Sequence, residues 1–203
     1  MGAERSPGRV TIDEWRTLLR ESHDVKYEYI DGYVHAMAGG TQAHARIAGN
    51  VLGVLDAILG DGPCIAYPLD MATRLSESRY AFPDVVVTCE EYESVALREE
   101  TEIASPTVVF EVLSESTELY DRTVKSAYYR ACPSLREYVL ICTDFQAVEV
   151  YRRAADGWGM FHVYRHEDEV ELTSINVRFP VAALYRRTNV PATPPDGPQN
   201  HLH

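Results

Sequence analysis

Phe82-Pro83-Asp84-Val85-Val86-Val87 and Pro106-Thr107-Val108-Val109-Phe110-Glu111-Val112-Leu113-Ser114 are two apolar runs, and each carries one carboxylate. Asp84 opens the first run and Glu111 interrupts the second. Both runs are short, rich in valine and opened by proline, which reads as two buried strands. A carboxylate inside such a run is costly unless it is paired or binds a metal. Thr117 to Tyr129 follows. It reads as a helix from about Glu118 to Ala131, with Asp121, Lys125 and Tyr128 or Tyr129 on one face, stopped by Pro133.

Upstream, Thr11-Ile12-Asp13-Glu14 is a capping box for a helix running to about Arg20, with Ile12, Trp15, Leu18 and Leu19 on its apolar face. Lys26 to Met37 reads as a β-hairpin turning at Asp31-Gly32. Thr41 can cap a helix to about Leu59, with Ile47, Val51, Leu55 and Ile58 on one stripe and His44 one turn earlier. Cys64 to Leu75 looks like a strand pair or a bent strand broken at Pro68. Downstream of the first run, Glu90 to Ala104 holds six glutamates and reads as a solvated charge run. Arg136–Thr143, Ala147–Arg153, Trp158–Arg165 and Val170–Leu172 read as a strand meander, and a last helical turn runs from Phe179 to Tyr185. The order predicts an α/β (α+β) domain, a central mixed sheet flanked by helices, preceded by an N-terminal helix and hairpin. Residues 1–187 are expected to form a single domain. From Thr188 to 203 the chain is rich in Pro, Asn and Gly and is expected to be a disordered tail.

The chain has 203 residues and a formal net charge of −12. That sign argues against avid nonspecific binding to DNA, which a general positive field provides. Cys64, Cys89, Cys132 and Cys142 contain no C-x-x-C pair and read as reduced, buried thiols. No run approaches the length of a membrane span. Met1 to Arg9 is polar and lacks the apolar core of a signal peptide. The expected location is cytoplasmic, with no membrane partner.

Cleaving a phosphodiester needs an activated water and neutralisation of the negative charge that develops. A hard divalent ion supplies both, using one or two carboxylates and keeping several waters. Asp84 and Glu111 provide the carboxylates, and the Val112 carbonyl can add a third oxygen. Lys125, one of two lysines with Lys26, is a compact cation suited to orienting water and stabilising charge on the phosphate. The blander reading makes Asp121 and Lys125 a surface ion pair. Glu28, between two tyrosines, is either a solvated cross-strand partner or a further acidic group beside the metal. His44 is either structural or faces a site at the mouth of its helix.

Taken together, Tyr27-Glu28-Tyr29-Ile30-Asp31-Gly32, His44, Pro83-Asp84-Val85, Glu111-Val112-Leu113-Ser114, Asp121-x-x-x-Lys125-x-x-Tyr128 and Glu137-Tyr138-Val139 resemble the PD-(D/E)XK nuclease superfamily, and within it the Uma-two family of restriction-endonuclease-like proteins. The resemblance covers about Thr11 to Tyr185. It implies a restriction-endonuclease-like core and a metal-dependent endonuclease hydrolysing DNA. Asp84 and Glu111 would bind Mg2+ or Mn2+, Lys125 would be the catalytic lysine, and Glu28 and His44 would be auxiliary groups at the rim. It also implies a homodimer. The chain departs from the superfamily pattern at Leu113, where the strand lysine would stand, and Lys125 matches a lysine moved to the following helix. Two alternatives remain: a nuclease-fold binding or regulatory module without catalysis, and a two-carboxylate glycosidase, which leaves Lys125 unexplained.

Overall fold

The computed structural model describes residues 8–22, 25–37, 40–89, 102–159 and 161–195. The first helix, α1 (Ile12–Glu21), starts as the capping box predicts: the Glu14 amide donates to Thr11 Oγ1, and the Thr11 amide donates to Glu14 Oε2. Strands β1 (Tyr27–Ile30) and β2 (Tyr33–Ala36) form the hairpin, and both turn residues, Asp31 and Gly32, have positive φ (52° and 95°). That is the geometry a two-residue turn matching the strand twist requires, and Asp-Gly adopts it with little strain.

Helix α2 (Gln42–Leu59) is followed by β3 (Ile65–Pro68), β4 (Ala72–Ser76), β5 (Arg79–Ala81) and β6 (Val85–Thr88). After the undescribed stretch come β7 (Glu102–Ile103) and β8 (Pro106–Val112). Cys64 to Leu75 is thus two strands, and they enter different sheets. Among the described residues, a five-stranded sheet runs β2-β1-β5-β4-β7, with β7 parallel to β4. Most of the glutamate run lies outside the described residues. Glu102 is no solvated charge, however: it accepts two hydrogen bonds from the Arg16 guanidinium and ties β7 to α1.

The larger, mixed sheet adds β9 (Glu137–Ile141), β10 (Ala147–Ala154), β11 (Gly157–Trp158) and β12 (His162–Arg165). Its order is β11-β10-β9-β8-β6-β3, with β12 also on β10, and β8 and β9 are parallel. The helix crossing from β8 to β9, α3, spans Glu118–Tyr120 and Ser126–Ala131 on either side of a π-turn, Asp121–Lys125. Strands β13 (Glu169–Leu172) and β14 (Val177–Pro180) and a short helix, α4 (Val181–Leu184), complete the chain.

The strands of the larger sheet are apolar on both faces, because helices cover both. Val85, Val87, Val108, Phe110 and Val112 pack against Ile47, Val51 and Leu55 of α2. Val86, Val109 and Leu113 face the other way, with Tyr129 of α3, Leu135, Tyr138 and Leu140. A third cluster centres on Trp15, fully buried between Tyr29 and Tyr80, and fastens α1 to the smaller sheet.

Two expectations need correction. Cys64 and Cys89 form a disulfide rather than free thiols. The β3–β6 register pairs Ile65 with Thr88, so the residues just outside that pair lie opposite each other; Cys132 and Cys142 are free. The expected tail is not loose at its start. Val190 is buried, and the Val190 and Pro191 carbonyls accept from the Gln146 side chain and backbone. Residues 196–203 lie outside the described residues. Among the described residues no helix is long and apolar enough to cross a membrane.

Candidate active site

The site lies where the chain passes from one sheet to the other. Strand β5 belongs to the smaller sheet and β6 to the larger, so Phe82-Pro83-Asp84 is the crossing. In the β6–β8 register Val85 pairs with Phe110 and Val86 with Val109. One step further along the same register, Asp84 stands opposite Glu111. Side chains alternate along a strand, so Asp84 shares a face with Val86 and Glu111 with Val109, which is the α3 side. Directly opposed residues of antiparallel strands have Cβ atoms about 5 Å apart.

Four buried carboxylates gather here: Glu28 from β1, Asp84, Glu111 and Asp121 from the π-turn. The cation among them is Lys125, itself 5 % exposed. Its Nζ lies 2.9 Å from Glu111 Oε1 and 3.1 Å from Glu28 Oε1. Glu28 Oε1 also accepts from the Phe82 amide. Asp84 Oδ2 accepts from the Val112 amide at 2.7 Å and lies 3.2 Å from His44 Nε2. Tyr129 donates its hydroxyl to Glu111 Oε1 at 2.6 Å. Gly40 allows the backbone to lie against the His44 ring, since a Cβ there would fall 2.6 Å from Nδ1. The blander readings of Glu28 as a solvated partner, and of Asp121 with Lys125 as a surface pair, do not match this burial.

The charges perturb one another. Burial drives the Glu111 pKa up, Lys125 opposes it, and Asp84 and Asp121 add to the rise, leaving it at about 8. Burial would lower the pKa of Lys125, but the charges of Glu111, Glu28 and Asp121 outweigh it, so the net shift is upward. For His44 burial again works downward, and the hydrogen bond and charge of Asp84, with a hydrogen bond to the Val112 backbone, raise it overall. Burial is the first cause of the raised Asp121 pKa.

All these side chains except Tyr129 line one open cavity of about 640 Å3. The lining combines the carboxylates, Lys125, Ser114, Ser116 and Thr117 with the apolar Ala45, Ala48, Leu52, Met37, Pro68 and Leu69. The residues singled out from sequence, Glu28, His44, Asp84, Glu111, Val112 and Lys125, therefore share it. Asp121 belongs with them although the sequence suggested only a helix companion for Lys125. Of Tyr128 and Tyr129, it is Tyr129 that meets Glu111; Tyr128 lies under the Arg79 guanidinium, 4.5 Å from its ring centre, and Tyr120 of the same helix lines the cavity. Glu137 is remote. It is buried in a pair with Arg152 and accepts from the Thr173 and Ser174 amides.

The donor set suits a hard divalent ion: carboxylate oxygens of Asp84 and Glu111 and a backbone carbonyl, with acidic groups in excess over cations. Among the described residues no three His, Cys, Asp or Glu side chains form a ready-made ligand cluster. Two carboxylates with retained water are a sufficient protein contribution for magnesium.

A structure described as "a putative nuclease belonging to DUF820", from Anabaena variabilis, has the same fold: the TM-score is 0.69 over 87% of this chain and 97% of that one, at 20% identity. Two uncharacterized proteins of Synechocystis are similar in sequence. Slr1290 is 34% identical over 175 residues, covering 85% of this chain and 88% of its own length. Sll1609 is 30% identical over 154 residues, covering 75% and 86%. The family profile of Uma2, described as "Putative restriction endonuclease", matches residues 12–182, which takes in every element that builds the cavity, and the chain belongs to that family.

Proposed function

We propose that the chain is a Mg2+- or Mn2+-dependent endonuclease that hydrolyses DNA phosphodiester bonds. The observation that carries this reading is the juxtaposition of Asp84 and Glu111 on opposed strands, with the Lys125 ammonium 2.9 Å from Glu111. Asp84, Glu111 and the Val112 carbonyl would hold the ion. When bound, it supplies Lewis acidity at the phosphate and lowers the pKa of water. The rest falls to the chain's own groups. Lys125 keeps its proton, because its pKa is raised, so it acts as charge and hydrogen-bond donor to water and phosphate and not as a base. Glu28 is a second carboxylate holding the ammonium, and His44 orients Asp84. The resemblance further implies a homodimer, which sedimentation would detect.

Cleavage of supercoiled plasmid with Mg2+ or Mn2+ tests the reading. Wild-type protein should nick, and Asp84→Ala and Lys125→Ala should each lose roughly 100-fold or more, the scale of removing a charge-stabilising group. Absence of nicking by wild type, together with no metal uptake in calorimetry, would overturn it and favour a nuclease-fold binding or regulatory module.

A further inference from the structure

Tyr129 is fully buried, and its hydroxyl reaches past the core to Glu111 Oε1. The same oxygen meets Lys125 Nζ. Two donors on one oxygen leave Oε2 as the oxygen that can turn to a cation. The Tyr129 ring is itself fixed. It packs on Tyr138, with centroids 4.9 Å apart, and lies 6.0 Å from Lys125 Nζ. Tyr138 in turn donates its hydroxyl to the Asp121 carbonyl in the π-turn. That carbonyl also accepts from the Ser126 amide, five residues on. Tyr138 therefore holds the turn that carries Lys125, while Tyr129 holds the carboxylate that Lys125 meets.

We infer that Tyr129 is a positioning residue for the acidic pair: by occupying Glu111 Oε1 it fixes the rotamer of the carboxylate and presents Oε2 to a divalent cation. The inference rests on the metal-dependent reading above. Groups that orient a ligand from behind are worth roughly 10- to 100-fold in metal affinity. A tyrosine suits the task because its hydroxyl only donates here; burial, reinforced by the Glu111 charge, holds its pKa well above the usual value.

Calorimetry with MnCl2 alone separates the possibilities. Tyr129→Phe keeps the ring and its packing and removes only the donor. It should weaken Mn2+ binding by roughly 10- to 100-fold. Tyr185→Phe also deletes a buried tyrosine hydroxyl, one that donates to the Cys142 and Ala147 carbonyls away from the site, and should bind Mn2+ like wild type. Equal binding by Tyr129→Phe and wild type overturns the inference. Equal losses in both variants also overturn it, since they indicate a loosened core. Wild type that takes up no Mn2+ removes the metal-dependent reading itself. In unmutated protein, the Tyr129 hydroxyl proton should shift by NMR when Mg2+ is added. An unmoved signal in protein that takes up the ion counts against the contact.

Discussion

Replacing Glu111 by glutamine should flatten the pH dependence of stability in the metal-free protein. The Glu111 carboxyl sits at about 8, against 4.5 when free, chiefly because it is buried. The folded chain therefore holds this proton more tightly than the unfolded chain does. Its contribution is fully present below pH 4.5 and is lost as pH rises through about 8. Within that window each pH unit corresponds to about 1.4 kcal/mol per proton. Between about pH 5.5 and 7.5 the group thus removes about 3 kcal/mol of stability. His44 acts in the same direction above its ordinary pKa of 6.5, because its own pKa is raised. Lys125 contributes only at alkaline pH. A glutamine amide cannot ionise but still offers an oxygen to Tyr129 and Lys125. Urea unfolding of wild type and Glu111→Gln, in EDTA, at steps across this range, reads the difference. The variant should gain on wild type by about 3 kcal/mol from one end to the other. Parallel curves would refute the proton assigned to Glu111. With Mg2+ in place of EDTA the wild-type decline should shrink, since a divalent ion binds the deprotonated carboxylates and is favoured at higher pH.

Other outcomes are expected away from this carboxyl. Reducing the Cys64–Cys89 bond, or making Cys64→Ser with Cys89→Ser, should lower stability by about 3.5 kcal/mol, the loop-entropy value for a separation of 25 residues; a urea midpoint that dithiothreitol leaves unchanged would contradict it. Thr11→Ala removes one half of the α1 capping box and should lower the unfolding free energy by about 1 kcal/mol. Glu137→Ala leaves Arg152 and two backbone amides without their buried acceptor and should cost about 3–5 kcal/mol. Mn2+ affinity of the surviving folded protein should be unchanged, and a matching loss of affinity would tie Glu137 to the site after all.

Much of this site can be read from the sequence because it breaks a local rule. Asp84 and Glu111 stand in runs whose apolar side chains are all buried, and Lys125 is one of two lysines in the chain. What escaped reading depends on partners distant in sequence. Glu28 sits in an ordinary alternating hairpin, and only the fold shows that its face turns toward Lys125 while Tyr29 faces Trp15. The disulfide has no motif; it exists because β3 and β6 are neighbours in register. The smaller sheet was hidden because β5 and β7 are too short to show a period. Glu102 looked like one glutamate among six until Arg16 was found beside it. The π-turn has no sequence signature of its own, since it coincides with the hydroxyl of Tyr138, a residue beyond the helix.

That turn makes the length of α3 behave as a phase. An α-helix advances about 100° per residue, and a π-turn absorbs an extra residue without lengthening the path between its ends. Upstream, the helix is anchored where the Glu118 amide donates to the Ser114 carbonyl. Downstream, it is anchored by Tyr129 on Glu111 and by Arg153 on the Arg130 carbonyl. Both anchors are fixed to the larger sheet, so neither half is free to rotate. Deleting the exposed Ala127, which lies beyond the turn and between Lys125 and Tyr129, would swing one past the other by about 100°, and the two could no longer both meet Glu111. Substitutions on the outer side of α3 should pass unnoticed, whereas a single-residue deletion between Lys125 and Tyr129 should inactivate the protein as completely as losing the lysine.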